Sequence, residues 1–403
     1  MPRSIVLAYT LAMNVPASST LPLARVPLFF LGFRPFYLLA ALLAALSVPW
    51  WLLQYRLGLG GGVLPGMMWH GHEMLFGFAA AVIVGFLYTA ARTWTGLPTP
   101  SGAALAALAG LWVAGRILLV SGPGWLAAAV DVAFLPAAAV GLWIPLQRAR
   151  NRNRFMVGLL LLLAACNLGF HLAVHGMLDL LPGAFTRAGL YLVVFLVALM
   201  AGRVVPSFTR NAVPVARNPT SPRLDRAAMV ALAVVLVAHG AGLTGVGVGV
   251  LALVAAALHA LRLWTWDPWS TRARPILWIL HVSYSWIPVG LLLLAGAAFG
   301  RVPEAAALHA FGVGAVGGMI VGMITRTALG HTGRPLHAGP METSAYVLVH
   351  AAALLRVVPL LIVPALYPSA LVASGILWSS GFVFYLARYA PLLTSARPDG
   401  KPG

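Results

Sequence analysis

Apolar runs of membrane-spanning length recur twelve times along this 403-residue chain and leave no room for a separate soluble domain. A hydrocarbon core about 30 Å thick is crossed by roughly 20 helical residues. Only 8% of the residues are charged, whereas a soluble protein has about 25%. The pattern predicts an all-α, polytopic membrane helix bundle. The predicted spans are 28–53, 68–91, 101–120, 124–146, 155–178, 184–206, 227–244, 246–264, 275–299, 303–326, 341–363 and 369–391.

The spans divide the chain into an N-terminal tail at 1–27, a twelve-helix domain at 28–391 and a C-terminal tail at 392–403. Basic residues predict the orientation, because they accumulate in cytoplasmic loops. With the N-terminus inside, 20 of the 26 basic residues fall on the inner side, three fall outside and three lie within spans. We therefore expect both tails to be cytoplasmic.

The net charge of +18 does not indicate a nucleic-acid-binding protein. The arginines recur in short segments between apolar runs, and they form neither a helical stripe nor a basic aromatic platform. Their expected partner is the lipid bilayer with its anionic headgroups, and we expect no nucleic acid to bind.

Histidines are the main candidates for chemistry, because the single cysteine, Cys166, excludes a disulfide framework and a thiolate metal cage. An ionisable residue inside a membrane is costly and is a functional hypothesis by default. Clustered imidazoles without cysteine suit haem iron, copper or non-haem iron. The histidines near the outer ends of spans are His70 and His72 on the second, His171 and His175 on the fifth and His309 on the tenth.

The spacing of these histidines leaves two alternatives open. His171 and His175 are four residues apart and share a helix face, whereas His70 and His72 are about 200° apart on a helix. Either the backbone near Pro65 is irregular, or these two imidazoles serve different centres. For each histidine taken singly, the simpler interpretation is a helix-interface residue that bonds a backbone carbonyl or a serine.

Four charged residues lie in the outer half of the predicted spans: Glu73, Arg116, Asp131 and Arg356. Arg116 and Asp131 flank one short loop, so an ion pair between them is the simplest interpretation. Glu73 has no equally obvious partner in the sequence. A buried, unpaired glutamate is expected to be protonated or close to a cation, which makes Glu73 a candidate proton relay.

Two strings, WHGHEMLFGF at Trp69–Phe78 and GRVVPSFTRN at Gly202–Asn211, resemble the NnrS family. That resemblance implies a bacterial inner-membrane protein that holds haem b and copper and protects against nitric oxide and nitrosative stress, often beside denitrification. The chain has no Cys-x-x-Cys-His motif, so the haem would be non-covalent. Further similar segments are Phe33–Phe36, Thr93–Gly96, Asn167–His171, His281–Trp286, His309–Phe311 and Arg326–Leu336.

The resemblance also implies roles for residues of this chain. The outer histidines would form the active metal centre, and the inner His281 and His331 a second haem or electron-entry site. Glu73 and Arg326 are the catalytic candidates. The metal candidates are His70, His72, His171 and His309, and the cofactor-binding candidates are His171, His281, His331, Arg34, Arg203 and Arg334.

Three functions follow from these observations. The leading one is a haem and copper oxidoreductase, similar to a nitric oxide reductase, that converts two nitric oxide molecules to nitrous oxide with electrons from quinol or a periplasmic carrier. The second is a sink that binds haem, copper or nitric oxide without turnover. The third is a secondary transporter, which twelve helices and many glycines would suit, although the two halves show no convincing repeat.

Overall fold

The computed structural model describes residues 22–58, 63–64, 66–217, 219 and 221–400. Its described residues form twelve long helices and no strand, with one helix at each predicted span. Most of the predicted N-terminal tail lies outside the described residues. The helices are α1 Phe33–Leu57, α2 Gly66–Thr95, α3 Gly102–Ser121, α4 Gly124–Arg148, α5 Phe155–Val174, α6 Pro182–Ala212, α7 Pro222–Gly240, α8 Val246–Trp264, α9 Pro275–Ala298, α10 Glu304–His331, α11 Pro340–Ile362 and α12 Tyr367–Thr394.

Eleven of these helices are long and apolar enough to cross a membrane. The remaining one, α7, begins with Arg223, Asp225 and Arg226 and is therefore more charged at its start. Asp225 accepts a hydrogen bond from Arg262 Nε on α8 at 2.8 Å, which pairs one of these charges. The predicted all-α membrane bundle is confirmed.

Successive helices alternate in direction, and the last helix returns to the first. α12 packs along α1 and α11. Arg34 at the start of α1 donates from Nη1 to the carbonyl oxygens of Leu393 and Ser395, each at 2.8 Å. The side of the bundle where α1 begins and α12 ends is called the termini side below, and the opposite side is the far side.

Two helices change to π-helical winding near the far side. α2 does so at Glu73–Ala79, and α10 at Ala310–Gly317. Each segment begins directly after a histidine of the sequence motifs, His72 or His309. Because π-helical turns inside α-helices are frequent at functional sites, the two segments mark regions of interest. Pro65 lies outside the described residues. Gly66–His72, which contains both histidines, is regular α-helix, and the irregular winding begins only after His72.

Glycines bring the second, third and fourth helices close enough for their polar side chains to meet. A Cβ added at Gly77 would lie 2.8 Å from Arg116 Nη1, and one at Gly115 would lie 3.3 Å from Asp131 Cα. Trp112 Nε1 donates to the Gly77 carbonyl oxygen at 3.1 Å within the π-helical segment. The small residues therefore make room for Arg116 between α2 and α4.

Candidate functional site

Six polar side chains from four helices meet in the far half of the bundle, and they are called the Asp131 cluster here. Each lies within about two turns of the far end of its helix. Five of the six are almost fully buried, with exposed fractions of 2% or less, and the Arg116 side chain is 9% exposed. The members are His72 and Glu73 on α2, Arg116 on α3, Asp131 on α4, and Asn167 and His171 on α5.

One carboxylate oxygen, Oδ2 of Asp131, is the centre of the cluster. It lies 3.1 Å from His72 Nε2 and 2.9 Å from His171 Nε2. It also accepts a hydrogen bond from Asn167 Nδ2 at 2.8 Å. Three nitrogen atoms from two other helices therefore converge on a single buried oxygen.

The amide of Asn167 restricts what His72 can do. Because Asn167 Nδ2 donates to Asp131, its Oδ1 faces His72 Nε2 at 3.0 Å. His72 Nε2 thus faces two acceptor oxygens, so it must donate a proton to them or bind a cation beside them. The other ring nitrogen, Nδ1, lies 3.1 Å from Glu73 Oε1.

Arg116 joins the two carboxylates of the cluster. Its Nη1 donates to Glu73 Oε1 at 2.8 Å, and its Nη2 pairs with Asp131 Oδ1. The predicted pair of Arg116 with Asp131 is confirmed. Glu73, which has no equally obvious partner in the sequence, lies close to a cation as expected, and that cation is the same Arg116. Two carboxylates and one guanidinium leave a formal charge of −1 when both imidazoles are neutral. A buried net charge is costly, so the cluster requires one more proton or a bound cation.

The donor atoms of His72, Asp131 and His171 fit a metal ion. One ligand atom from each lies within 4.8 Å of the others. Two imidazoles and one carboxylate suit copper, zinc or iron. His171 Nδ1 has no hydrogen-bond partner among the described residues, so the described hydrogen bond of its ring is the one through Nε2. The predicted copper therefore has a suitable donor set, in which Asp131 replaces two of the four expected histidines.

The other two predicted metal ligands lie in different surroundings. His70 stacks on the Trp51 ring at 4.2 Å between centroids, and His309 Nδ1 bonds the Ala305 carbonyl oxygen at 2.7 Å. His70 lies within electrostatic range of His309 and Arg356. Of the two alternatives for His70 and His72, the structure favours different neighbourhoods for the two imidazoles.

Several histidines outside the family strings have ordinary helix-interface partners. His239 Nδ1 lies 2.9 Å from the Tyr191 hydroxyl, and His259 Nδ1 lies 2.6 Å from the Tyr284 hydroxyl. His350 Nδ1 accepts from Trp286 Nε1 at 3.1 Å. His259 Nε2 also lies 3.1 Å from the Ala228 carbonyl oxygen, and His350 Nε2 lies 3.3 Å from Ser283 Oγ. A carbonyl and a serine are the partners that the simpler interpretation expects for a lone membrane histidine.

The predicted inner residues lie on the termini side, separate from the Asp131 cluster. His281 Nε2 lies 3.0 Å from Thr209 Oγ1, and His281 Nδ1 has no partner among the described residues. Arg203 Nη1 donates to Asn153 Oδ1 at 3.0 Å, and Arg334 Nη1 donates to a backbone carbonyl at 3.3 Å.

Arg326 and His331 share a cavity of about 230 Å³ between α2, α6 and α10, called the Arg326 cavity here. Pockets for drug-sized ligands occupy about 300–1,000 Å³, and a haem is larger than most such ligands. A haem therefore does not fit in this cavity, although an imidazole and a guanidinium are the groups that haem iron and propionates require. The haem expectation stays a prediction.

Sequence reasoning missed Asp131 as a candidate ligand and Asn167 as its hydrogen-bond partner. The sequence indicated only an ion pair for Asp131. The partners of its second oxygen, Asn167 and His171, are 36 and 40 positions away, so the sequence near Asp131 does not reveal them. Asn167 precedes His171 by four residues and so lies on the same helix face, which is a signal that the sequence does contain.

Comparison with protein families supplies an independent assignment. Residues 27–397, nearly the whole chain, match the family described as NnrS protein. Comparison with curated proteins gives no match. The match spans every helix and both polar regions described above, and on this basis the chain belongs to the NnrS family.

Proposed function

We propose that this membrane protein binds copper in the Asp131 cluster and uses it to protect a bacterial cell against nitric oxide. The observation that carries the proposal is a buried set of two imidazoles and one carboxylate within a cluster whose formal charge is −1. A copper ion would balance that charge where a neutral ligand would not. Membership of the NnrS family supports nitric oxide as the molecule that binds at this site.

Each residue of the Asp131 cluster would have a separate role. His72, Asp131 and His171 would hold the metal, and Asn167 would orient Asp131 through its 2.8 Å hydrogen bond. Hydrogen-bonded partners of this kind fix ligand orientation and raise metal affinity. Arg116 would keep Asp131 Oδ1 and Glu73 Oε1 in place. Bound copper would supply one-electron redox chemistry and a position for nitric oxide.

The finer proposal is reduction of nitric oxide. Two molecules, two electrons and two protons give one nitrous oxide and one water. Glu73 lies directly beside His72 and is the carboxylate nearest to the ligands, so it would take up and deliver protons there. Quinol or a periplasmic carrier would supply the electrons. The proposed location is the bacterial inner membrane with both termini cytoplasmic, as the arginine distribution predicts.

Copper content of paired variants tests the proposal. We expect His72→Gln to lose the copper of the purified protein and His70→Gln to retain it, because only His72 faces Asp131. The measurement is copper per protein by elemental analysis after loading and desalting, with paramagnetic resonance of the oxidised ion. Equal copper in both variants and the parent protein would place the metal elsewhere.

Nitric oxide consumption then separates catalysis from trapping. An electrode trace with excess reductant would show continuous turnover for an enzyme, whereas a sink would stop after a fixed number of molecules per protein. The His72→Gln protein, which lacks the proposed ligand, is the control for reaction at other sites.

A secondary transporter is the second candidate, because buried clusters of carboxylate, histidine and arginine also form proton relays in transporters. Proton flux that depends on Asp131 in liposomes containing metal-free protein would favour it. Full copper content with no such flux would favour the redox function.

A further inference from the structure

The Arg326 cavity is formed where three helices end on the termini side. α2 contributes Phe86 and Thr89, α6 contributes Phe208, and α10 contributes Arg326 and His331. At about 230 Å³ it could hold several water molecules, each of which occupies about 30 Å³ in the liquid. A small ligand therefore fits without movement of the helices.

The guanidinium of Arg326 has no acidic partner among the residues that the structure describes. It lies over the Phe208 ring with its Cζ 3.9 Å from the ring centroid. None of the described residues lining the cavity is acidic. The arginine is thus supported by an aromatic face and is not neutralised by a carboxylate.

Further positive charge surrounds the cavity. The His331 ring lies within electrostatic range of Arg92 and Arg397. Arg397 binds the His331 carbonyl oxygen from Nη1 at 2.8 Å, and its own charge is paired with Asp399 at 2.6 Å. Arg92 therefore adds to the positive potential of the cavity, while Arg397 is largely balanced.

We infer that the Arg326 cavity binds an oxyanion, which the Arg326 guanidinium holds by two parallel hydrogen bonds. A planar guanidinium matches the two oxygens of a carboxylate, nitrite or phosphate group, and an ammonium does not. His331 offers a second polar contact to the oxyanion, and the Phe208 ring fixes the plane of the guanidinium. The binding site is independent of copper in the Asp131 cluster.

The oxyanion has two possible sources, a dissolved ion or the phosphate of an anionic lipid headgroup. Basic pockets between membrane helices on the cytoplasmic side are known to bind lipid phosphates. Both sources present the same oxygens to Arg326. They differ in whether the ligand is added in water or with the bilayer.

Thermal unfolding of the purified full-length protein in lipid nanodiscs tests the inference. One arm uses phosphatidylcholine discs and adds sodium nitrite, sodium phosphate or sodium acetate, with sodium chloride at matched ionic strength as the blank. The other arm replaces part of the phosphatidylcholine with phosphatidylglycerol. We expect a saturable rise of Tm in at least one arm.

The variants locate the response. Arg326→Gln should raise the half-saturating concentration of the oxyanion or the lipid by about tenfold or more, because the charged, two-point contact is lost. Arg326→Lys keeps the charge but loses the planar guanidinium. Its half-saturating concentration should lie between those of the parent and Arg326→Gln. Arg210→Gln, an exposed arginine on α6 at the same side, is the matched control and should respond as the parent does.

Each outcome decides the inference. A response to dissolved salts that Arg326→Gln loses supports a dissolved oxyanion, and a response to phosphatidylglycerol alone that Arg326→Gln loses supports a lipid phosphate. No response in either arm, or the same response in Arg326→Gln and the parent, overturns it. If Arg326→Gln does not fold, His331→Gln and Arg326→Lys give the same comparison.

Discussion

The Asp131 cluster and the Arg326 cavity contain the same two basic residue types, yet they differ in what accompanies them. In the cluster, Arg116 contacts the carboxylates of Glu73 and Asp131. In the cavity, Arg326 stacks on an aromatic ring and space remains beside it. Both regions lie along α2, near its two ends.

The comparison shows that a histidine with an arginine inside a helix bundle does not by itself indicate one chemistry. The formal charge of the neighbourhood decides it, because a low-dielectric interior favours whichever ion restores neutrality. The cluster has an excess negative charge and so favours a cation. The cavity has an unpaired positive charge and so favours an anion.

The largest expected effect concerns the two arginines. Arg116→Gln leaves two buried carboxylates without their cation and should lower the free energy of unfolding by about 3–5 kcal/mol. Arg326→Gln removes only a cation–π contact and should cost about 1 kcal/mol or less. Both values can be measured by denaturant titration of ligand-free protein in detergent micelles.

Arg56→Gln, an exposed arginine at the end of α1, controls for the loss of a positive charge. If Arg326→Gln destabilises as much as Arg116→Gln does, the cavity arginine has a structural role comparable to that of the cluster arginine, and the contrast between the two regions fails.

The second prediction concerns the centre of the cluster. Asp131→Asn is isosteric but removes the charge and the ligand oxygen, so it should weaken copper binding by about 100-fold or more, above the usual effect of a neighbouring hydrogen-bond partner. Competition with a chelator of known affinity measures the change. Asp179→Asn, an exposed residue on the far side, should leave the copper affinity unchanged.

The fold could be predicted closely because it depends on local information. Twelve apolar runs of sufficient length give twelve helices, since only helices and closed barrels satisfy backbone groups in lipid. Helix α7 begins at Pro222, before its predicted span at residue 227, and therefore includes three charged residues. These charges explain why α7 is less apolar than the other eleven described helices.

The site could be predicted only in part. The outer depth of His72, Glu73 and His171 follows from their positions in apolar runs. Which side chains meet depends on the rotation of each helix about its axis. A shift of one or two residues changes that rotation by about 100–200°. The π-helical segment after His72 and the glycine at position 77 set this rotation in α2, and neither is readable from apolar periodicity.

The third prediction concerns the partner of Asp131. Asn167→Leu keeps the volume of the side chain but removes the hydrogen bond to Asp131 Oδ2, so copper affinity should fall by about tenfold. The same chelator competition measures it, with Asn211→Leu, an exposed position on α6, as the control. An unchanged affinity would mean that Asp131 is held well enough by Arg116 alone.

The smallest expected effect concerns the aromatic support of Arg326. Phe208→Leu keeps an apolar side chain but removes the ring beneath the guanidinium, a contact of about 0.5–1 kcal/mol. The half-saturating oxyanion concentration should therefore rise by about two- to fivefold in the nanodisc experiment, since 1.4 kcal/mol corresponds to tenfold. Phe86→Leu, in the wall of the same cavity, is the control, because the guanidinium stacks on Phe208. Equal effects of the two substitutions would show that cavity shape, and not the orientation of Arg326, determines oxyanion binding. Copper affinity should not change in either variant, because neither ring contacts the Asp131 cluster.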